Sequence, residues 1–233
     1  MKYCLTILAL LITSPAVADC VILLHGLARS SYSFLAMETA LKGIGYDVVN
    51  VDYASTEDSI EELANTSIPN AITACGTTNQ IHFVTHSMGG ILVRYYMKHA
   101  DEKPKNLNHV VMLGPPNKGS PVVDKLRGLP GYELWNGIAG LQLGTGPKSI
   151  PNRLGPVGFS LGVIAGNQSI SPLFSSIIPG DDDGKVAVES TKIAGMADHI
   201  VIDVTHTFMM NSPAVFMQVA HFLREGAFKP RAP

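Results

Sequence analysis

Thr85-His86-Ser87-Met88-Gly89-Gly90 sits where the chain changes its period. Before it, Ile81 to Val84 is a short apolar run of the kind that forms a buried strand. After it, Ile91 to Lys98 carries helical spacing. A serine between strand and helix, with two glycines behind it, predicts a tight elbow. The chain must leave the strand, present one side chain at an unfavourable backbone angle and enter a helix within a few residues. Gly89 and Gly90 have no Cβ, so the helix start can approach the strand closely. The Ser87 hydroxyl then stands above the sheet edge, over a helix N-terminus that favours developing negative charge. The plain alternative is a strand–turn–helix with a solvent-facing serine. The usual elbow is Gly-x-Ser-x-Gly, and Thr85 breaks its first position.

Outward from the elbow the elements alternate. Val21–Leu24, Asp47–Val51, Ile81–Val84, His109–Leu113, Val157–Ala165 and Ile200–Val204 read as strands. Ser31–Gly43, Thr56 to about Cys75, Met88–His99 and Pro213–Arg224 read as helices. Near-continuous apolar strands separated by helices predict an α/β fold, with a mostly parallel sheet of about six strands covered on both faces. The stretch from Ser120 to Pro179 fits that rhythm poorly. It is read as a cap-like insertion within a single domain, 19–233. Tyr132 and Trp135, the only tryptophan, are candidates there for an apolar acyl site or for cap packing.

Composition bounds the function. The chain has 233 residues, 46% of them hydrophobic and 15% charged, with net charge −2. There is no basic block, so a nucleic-acid partner is not expected. Residues 1–18 read as a secretory signal: Lys2, the apolar run Leu5–Ile12, then Ala16-Val17-Ala18 as an A-x-A cleavage site. The expected location is the periplasm or the exterior. An uncleaved membrane anchor is the alternative. Cutting after Ala18 removes Cys4 and leaves Cys20 and Cys75. If their strands are parallel neighbours, both cysteines lie at one edge of the sheet, and an oxidising compartment favours a disulfide. Two buried thiols are the alternative.

A serine hydroxyl needs a base, and the base needs a third group to orient it. The chain offers Asp183 and then His206 after Ser87, the order Ser, Asp, His. Asp181, Asp182 and Asp203 compete for the acid, and the Asp183-Gly184 turn favours Asp183. His199 competes for the base. His206 follows the last strand and so reaches the carboxyl edge, where ligands bind in parallel sheets. His25 and His86 flank the site in hydrogen-bonding and packing roles. His82, His99, His109 and His221 show no metal spacing.

Four segments in this order resemble the secreted α/β-hydrolases of the bacterial lipase and esterase kind. They are Leu23-Leu24-His25-Gly26-Leu27, the elbow, Leu113-Gly114-Pro115-Pro116-Asn117-Lys118-Gly119-Ser120 and Asp183-Gly184-Lys185-Val186. The departures are Thr85 for glycine and Pro115 for threonine. The resemblance implies an α/β-hydrolase fold with Ser87 as nucleophile, Asp183 as acid and His206 as base. It also implies backbone N–H groups of Leu27 and Met88 as the oxyanion hole. The implied reaction is cofactor-free hydrolysis of a carboxylic ester through an acyl-enzyme. The substrate would be a small-molecule or lipid ester, and transient contact with a membrane surface is compatible with the apolar insertion. Some similar lipases hold calcium near such an Asp run. Acyl transfer to another alcohol by the same three residues, or a non-catalytic binding or chaperone-like module, are the alternatives.

Overall fold

The computed structural model describes residues 17–230. The expected leader therefore lies outside the described residues for all but its last two positions. Six strands form one sheet: β1 (Cys20–Leu24), β2 (Asp47–Val51), β3 (Ile81–His86), β4 (Leu107–Leu113), β5 (Ser160–Gly166) and β6 (Asp198–Ile202). Their order is β2-β1-β3-β4-β5-β6, and every pairing is parallel. Among the described residues, nine α-helices connect and flank them: α1 (Leu35–Gly43), α2 (Ile60–Ala74), α3 (Met88–His99), α4 (Pro121–Leu126), α5 (Tyr132–Leu141), α6 (Ile150–Leu154), α7 (Pro172–Ser175), α8 (Val188–Thr191) and α9 (Pro213–Glu225).

Each inner strand is apolar on both faces because both faces are covered. Ile22, Leu24, Phe83, Val110, Met112 and Val163 pack with residues of α2 and α3. The alternate set, Val21, Leu23, Val84, Val111, Leu113 and Ile164, packs with residues of α1 and α9. The period of two along each strand divides one sheet into two cores.

Element limits shift for identifiable reasons. The α2 helix starts at Ile60 rather than Thr56 because Ser59 and Glu62 cap each other's backbone there. The β6 strand ends at Ile202, where Val204 N–H turns back onto the Ile202 carbonyl. Cys20 is the first residue of β1 rather than its predecessor. It is bonded to Cys75 at the C-cap of α2, with Cα atoms 5.9 Å apart. Between residues 120 and 179 the chain leaves the sheet twice, through α4–α6 and again through α7, and β5 passes between as an interior strand.

The chain runs from β1 to β2 on one side and from β3 onward to β6 on the other. The order reverses between β1 and β3, where Leu24 pairs with Thr85. Ligands of open parallel sheets bind outside the carboxyl ends at such a switch. The loops that leave β1 and β3 meet there.

Candidate active site

Ser87 forms the junction of β3 and α3 with φ 52° and ψ −120°. Among the described residues, only Ser87 and Ala28 hold positive φ without being glycine. One lies in the loop after β1 and one after β3, and both line the same cavity of about 250 Å³. Such angles cost of order 1–3 kcal/mol each and persist only where the surroundings enforce them. Here Ser87 N–H donates to the Leu113 carbonyl at 2.8 Å, and α3 packs directly on the end of β1. A Cβ at Gly89 would stand 2.4 Å from the Leu24 carbonyl oxygen, so the close packing requires glycine.

The missing glycine at position 85 has a local compensation. Thr85 is fully buried, and a Cβ on Gly90 would come 3.2 Å from its hydroxyl oxygen. The second glycine after the serine leaves room that Met112, at 2.9 Å from the same point, and Thr85 share.

Asp183 and His206 come together by separate routes. Asp183 lies in the turn after α7, its Oδ1 accepting from Lys185 N–H at 3.0 Å and Val186 N–H at 2.8 Å. Its Oδ2 accepts from His206 Nδ1 at 2.7 Å. His206 follows β6, and its own N–H donates to the Asp183 carbonyl at 2.9 Å. Both residues are buried. With Nδ1–H given to the carboxylate, His206 Nε2 is left as an acceptor, and the ring lines the cavity with Ser87. Ser87 Oγ itself makes no hydrogen bond among the described residues.

Gly114 leaves β4 at φ 54°, and a Cβ there would stand 3.0 Å from Asp183 Oδ2 and 3.1 Å from His206 Nδ1. The Asp183–His206 pair occupies the space that this glycine vacates. The rest of the Gly114–Ser120 segment acts as scaffold. Arg94, buried on α3, donates to the Asn117 carbonyl and Oδ1 and to the Pro151 and Gly155 carbonyls. Burial pushes its guanidinium down to about 10. Ser120 Oγ donates to the Lys185 carbonyl at 2.7 Å, fixing the acid turn.

The flanking histidines hold backbone. His86 Nε2–H donates to the His206 carbonyl at 2.9 Å, and the two rings lie 4.6 Å apart. Burial, then the nearby His206, holds His86 well below the usual imidazole range. His25 stacks on Tyr53 at 4.0 Å and bonds the Gly26 carbonyl through Nδ1. The Tyr53 hydroxyl in turn donates to the His25 carbonyl. Leu27 and Met88 follow these anchored points, and neither N–H donates to a protein acceptor among the described residues. Two donors from different loops are thus left unengaged beside the elbow.

The competing residues sit elsewhere. Asp182 Oδ1 accepts from Ser175 Oγ and Gly184 N–H, and Asp181 and Asp203 are exposed. His199 bonds Thr191 Oγ1 from within β6. Among the described residues, no three His, Cys, Asp or Glu side chains gather to hold a metal ion. No helix of the described residues is long and apolar enough to cross a membrane. Tyr132 lines the cavity, whereas Trp135 is 76% exposed and does not.

Comparison with known proteins agrees with this architecture. The family profile described as alpha/beta hydrolase fold matches residues 19–137. The mature form of the Bacillus licheniformis lipase BlEst2 superposes with a TM-score of 0.69 at 17% identity, over 94% of this chain and 95% of that one. Phospholipase PlaB from Legionella pneumophila gives 0.60 at 18% identity, over 75% of this chain and 44% of its own length. A pyrethroid hydrolase from Sphingobium faniae gives 0.53 at 12% identity, over 90% and 98%. No curated protein matches the sequence.

Proposed function

The chain belongs to the alpha/beta hydrolase family, and on that premise we propose that it is a serine hydrolase of carboxylic esters that works through an acyl-enzyme. The observation that carries this reading is the His206–Asp183 bond of 2.7 Å, whose imidazole lines the same cavity as a serine kept at φ 52°. Ser87 Oγ attacks the ester carbonyl while His206 Nε2 takes its proton. Asp183 keeps the imidazole in the right tautomer and stabilises the imidazolium. The carbonyl oxygen gains charge facing the N–H groups of Leu27 and Met88, a pair of donors worth roughly 3 kcal/mol of barrier each. His206 returns the proton to the leaving alkoxide, and the alcohol departs. Water then attacks the acyl-enzyme by the same steps and releases the acid and free Ser87.

The cavity of about 250 Å³ falls just below the usual range for small-ligand sites. Val122, Val123, Leu126, Tyr132 and Phe174 give it an apolar wall. A short acyl chain fits inside; a longer one would extend past α5, whose Leu134 and Trp135 are exposed. We further propose that the protein is exported. The Cys20–Cys75 bond supports an oxidising compartment.

The test is covalent labelling with a fluorophosphonate. The wild-type protein should carry one adduct on Ser87, and Ser87→Ala should carry none and lose ester hydrolysis. A folded wild-type protein that takes no label would overturn the reading in favour of a binding module.

A further inference from the structure

Two cations line the wall of the Ser87 cavity, Arg29 from the loop after β1 and Lys185 from the acid turn. Neither side chain makes an ion pair or a hydrogen bond with another described residue. No Asp or Glu is among the residues that line the cavity. The carboxylate that acts on Lys185 is Asp183, and it is already committed. Its Oδ1 receives two backbone N–H groups and its Oδ2 receives His206. Both of its oxygens are thus engaged, and it makes no ion pair with Lys185.

The two charges act on one another and on the site. Partial desolvation, then the charge of Arg29, holds the Lys185 ammonium below its ordinary value, with Asp183 pulling the other way. Both cations also disfavour a proton on His86. Lys185 is not a floating surface lysine at its root: its N–H is bonded to Asp183 and its carbonyl to Ser120. A chain of net charge −2 thus keeps a locally positive cavity at its nucleophile. Lys185 is exposed and Arg29 half-buried, yet both line one cavity and repel one another, and an anion between them would relieve that repulsion.

From this we infer that the preferred substrates are esters bearing an anionic group, a carboxylate or a phosphate, close to the bond that is cleaved. The inference rests on the ester-hydrolase reading and adds to it the charge of the substrate. The anion would lie between Arg29 and Lys185, while the apolar part of the ester meets Val122, Val123 and Phe174. The guanidinium supplies a fork of donors that matches either oxyanion, and the ammonium supplies a point charge.

Matched pairs of esters test it. One pair is 4-nitrophenyl valerate and the mono-4-nitrophenyl ester of glutaric acid, which differ by a carboxylate. The other is dihexanoylglycerol and dihexanoylglycerol phosphate, which differ by a phosphate. The expected result is at least a tenfold higher kcat/KM for the anionic member of one pair. Which pair shows it identifies the anion. That ratio should fall at least fivefold in Arg29→Gln and in Lys185→Gln, and should shrink in the wild type as salt is raised. Equal rates for neutral and anionic members, in the wild type at low salt, would overturn the inference and leave the ester-hydrolase reading intact. Failure to hydrolyse any of the four, together with no fluorophosphonate label, would remove the underlying reading instead.

Discussion

At the N-terminal end of the strands, Cys20 is bonded to Cys75, and a cavity of about 680 Å³ opens beside the first residues of β4 and β5. At the carboxyl end of the same strands the cavity is less than half that size. The smaller one is lined by two strained non-glycine residues and by His206, whose imidazole is bonded to a buried aspartate behind it, with two uncommitted backbone donors beside it. The larger one has Ser160, bonded to His109 at 2.8 Å, but among the described residues no carboxylate is bonded to that imidazole. Volume therefore says little about chemistry. What marks the carboxyl end is convergence: loops from β1, β3, β5 and β6 each deliver one polar group to one place, at the cost of backbone strain. The N-terminal end delivers stability instead. It closes a long stretch of chain with a covalent bond and leaves the strands to pair in register.

The largest expected effect breaks the carboxyl end alone. In Asp183→Asn, the amide keeps an oxygen for the Lys185 and Val186 N–H groups but presents N–H₂ to His206. The imidazole must then turn or change tautomer, and Nε2 is no longer the free acceptor that the proposed proton transfer from Ser87 needs. The expected loss in kcat on a short acyl ester is between about 10³- and 10⁴-fold, with the urea midpoint nearly unchanged. A loss under tenfold would mean that the bond at 2.7 Å is structural and does not serve the reaction.

The two ends were unequally legible in the sequence. The strands of the core could be read because each is buried on both faces and carries apolar residues without interruption. The limits of α3 were readable because Ser87 and the two glycines fix where the helix begins. The reading of Asp183 over Asp182 rested on its glycine, yet Gly184 N–H in fact bonds to Asp182. What singles out Asp183 is that β5 and β6 bring its turn against the loop of His206, which no local pattern encodes. The role of Gly114 was likewise hidden, because it vacates space for residues far along the chain; for His86 the hydrogen-bonding role was read from the sequence, but not its partner, a backbone carbonyl 120 residues away. Nothing in the sequence singled out Arg29 or the charge of Lys185, because their place on one cavity is a property of the fold. The stretch 120–179 resisted reading because β5, with Gly162 and Gly166, carries weak strand character inside a helical excursion.

The next effect breaks the opposite end and should leave the chemistry alone. Replacing both Cys20 and Cys75 by Ser reopens a loop with a sequence separation of 55. On the chain-entropy argument this lowers stability by about 4 kcal/mol. The check is urea unfolding of the variant beside the wild type, with kcat/KM on the same ester below the transition. A kcat/KM that falls with stability would show that the two ends are coupled through β1. An unchanged rate would keep them separate.

The smallest effect sharpens the contrast within one strand. His82 and His86 lie four residues apart on β3, so they share a face of the sheet. His86, at the carboxyl end, spends its Nε2–H on His206. His82, near the N-terminal end, is fully buried and neither ring nitrogen has a hydrogen-bond partner. Its nearest acid is Asp19, 3.7 Å away, and the His109 and Tyr46 rings pack beside it. Burial pushes His82 down to about 4, Asp19 opposing and His109 assisting. An unfolded histidine titrates near 6.5. Between those values the unfolded chain binds a proton that the folded chain refuses, so stability falls as pH drops from about 6.5 to about 4 and levels off below. His82→Leu removes that term. Urea unfolding at pH 7 and pH 5 should show a smaller loss on acidification in the variant than in the wild type. An equal loss in both would place the acid sensitivity in the other histidines whose imidazoles burial lowers, His86, His25, His109 and His199.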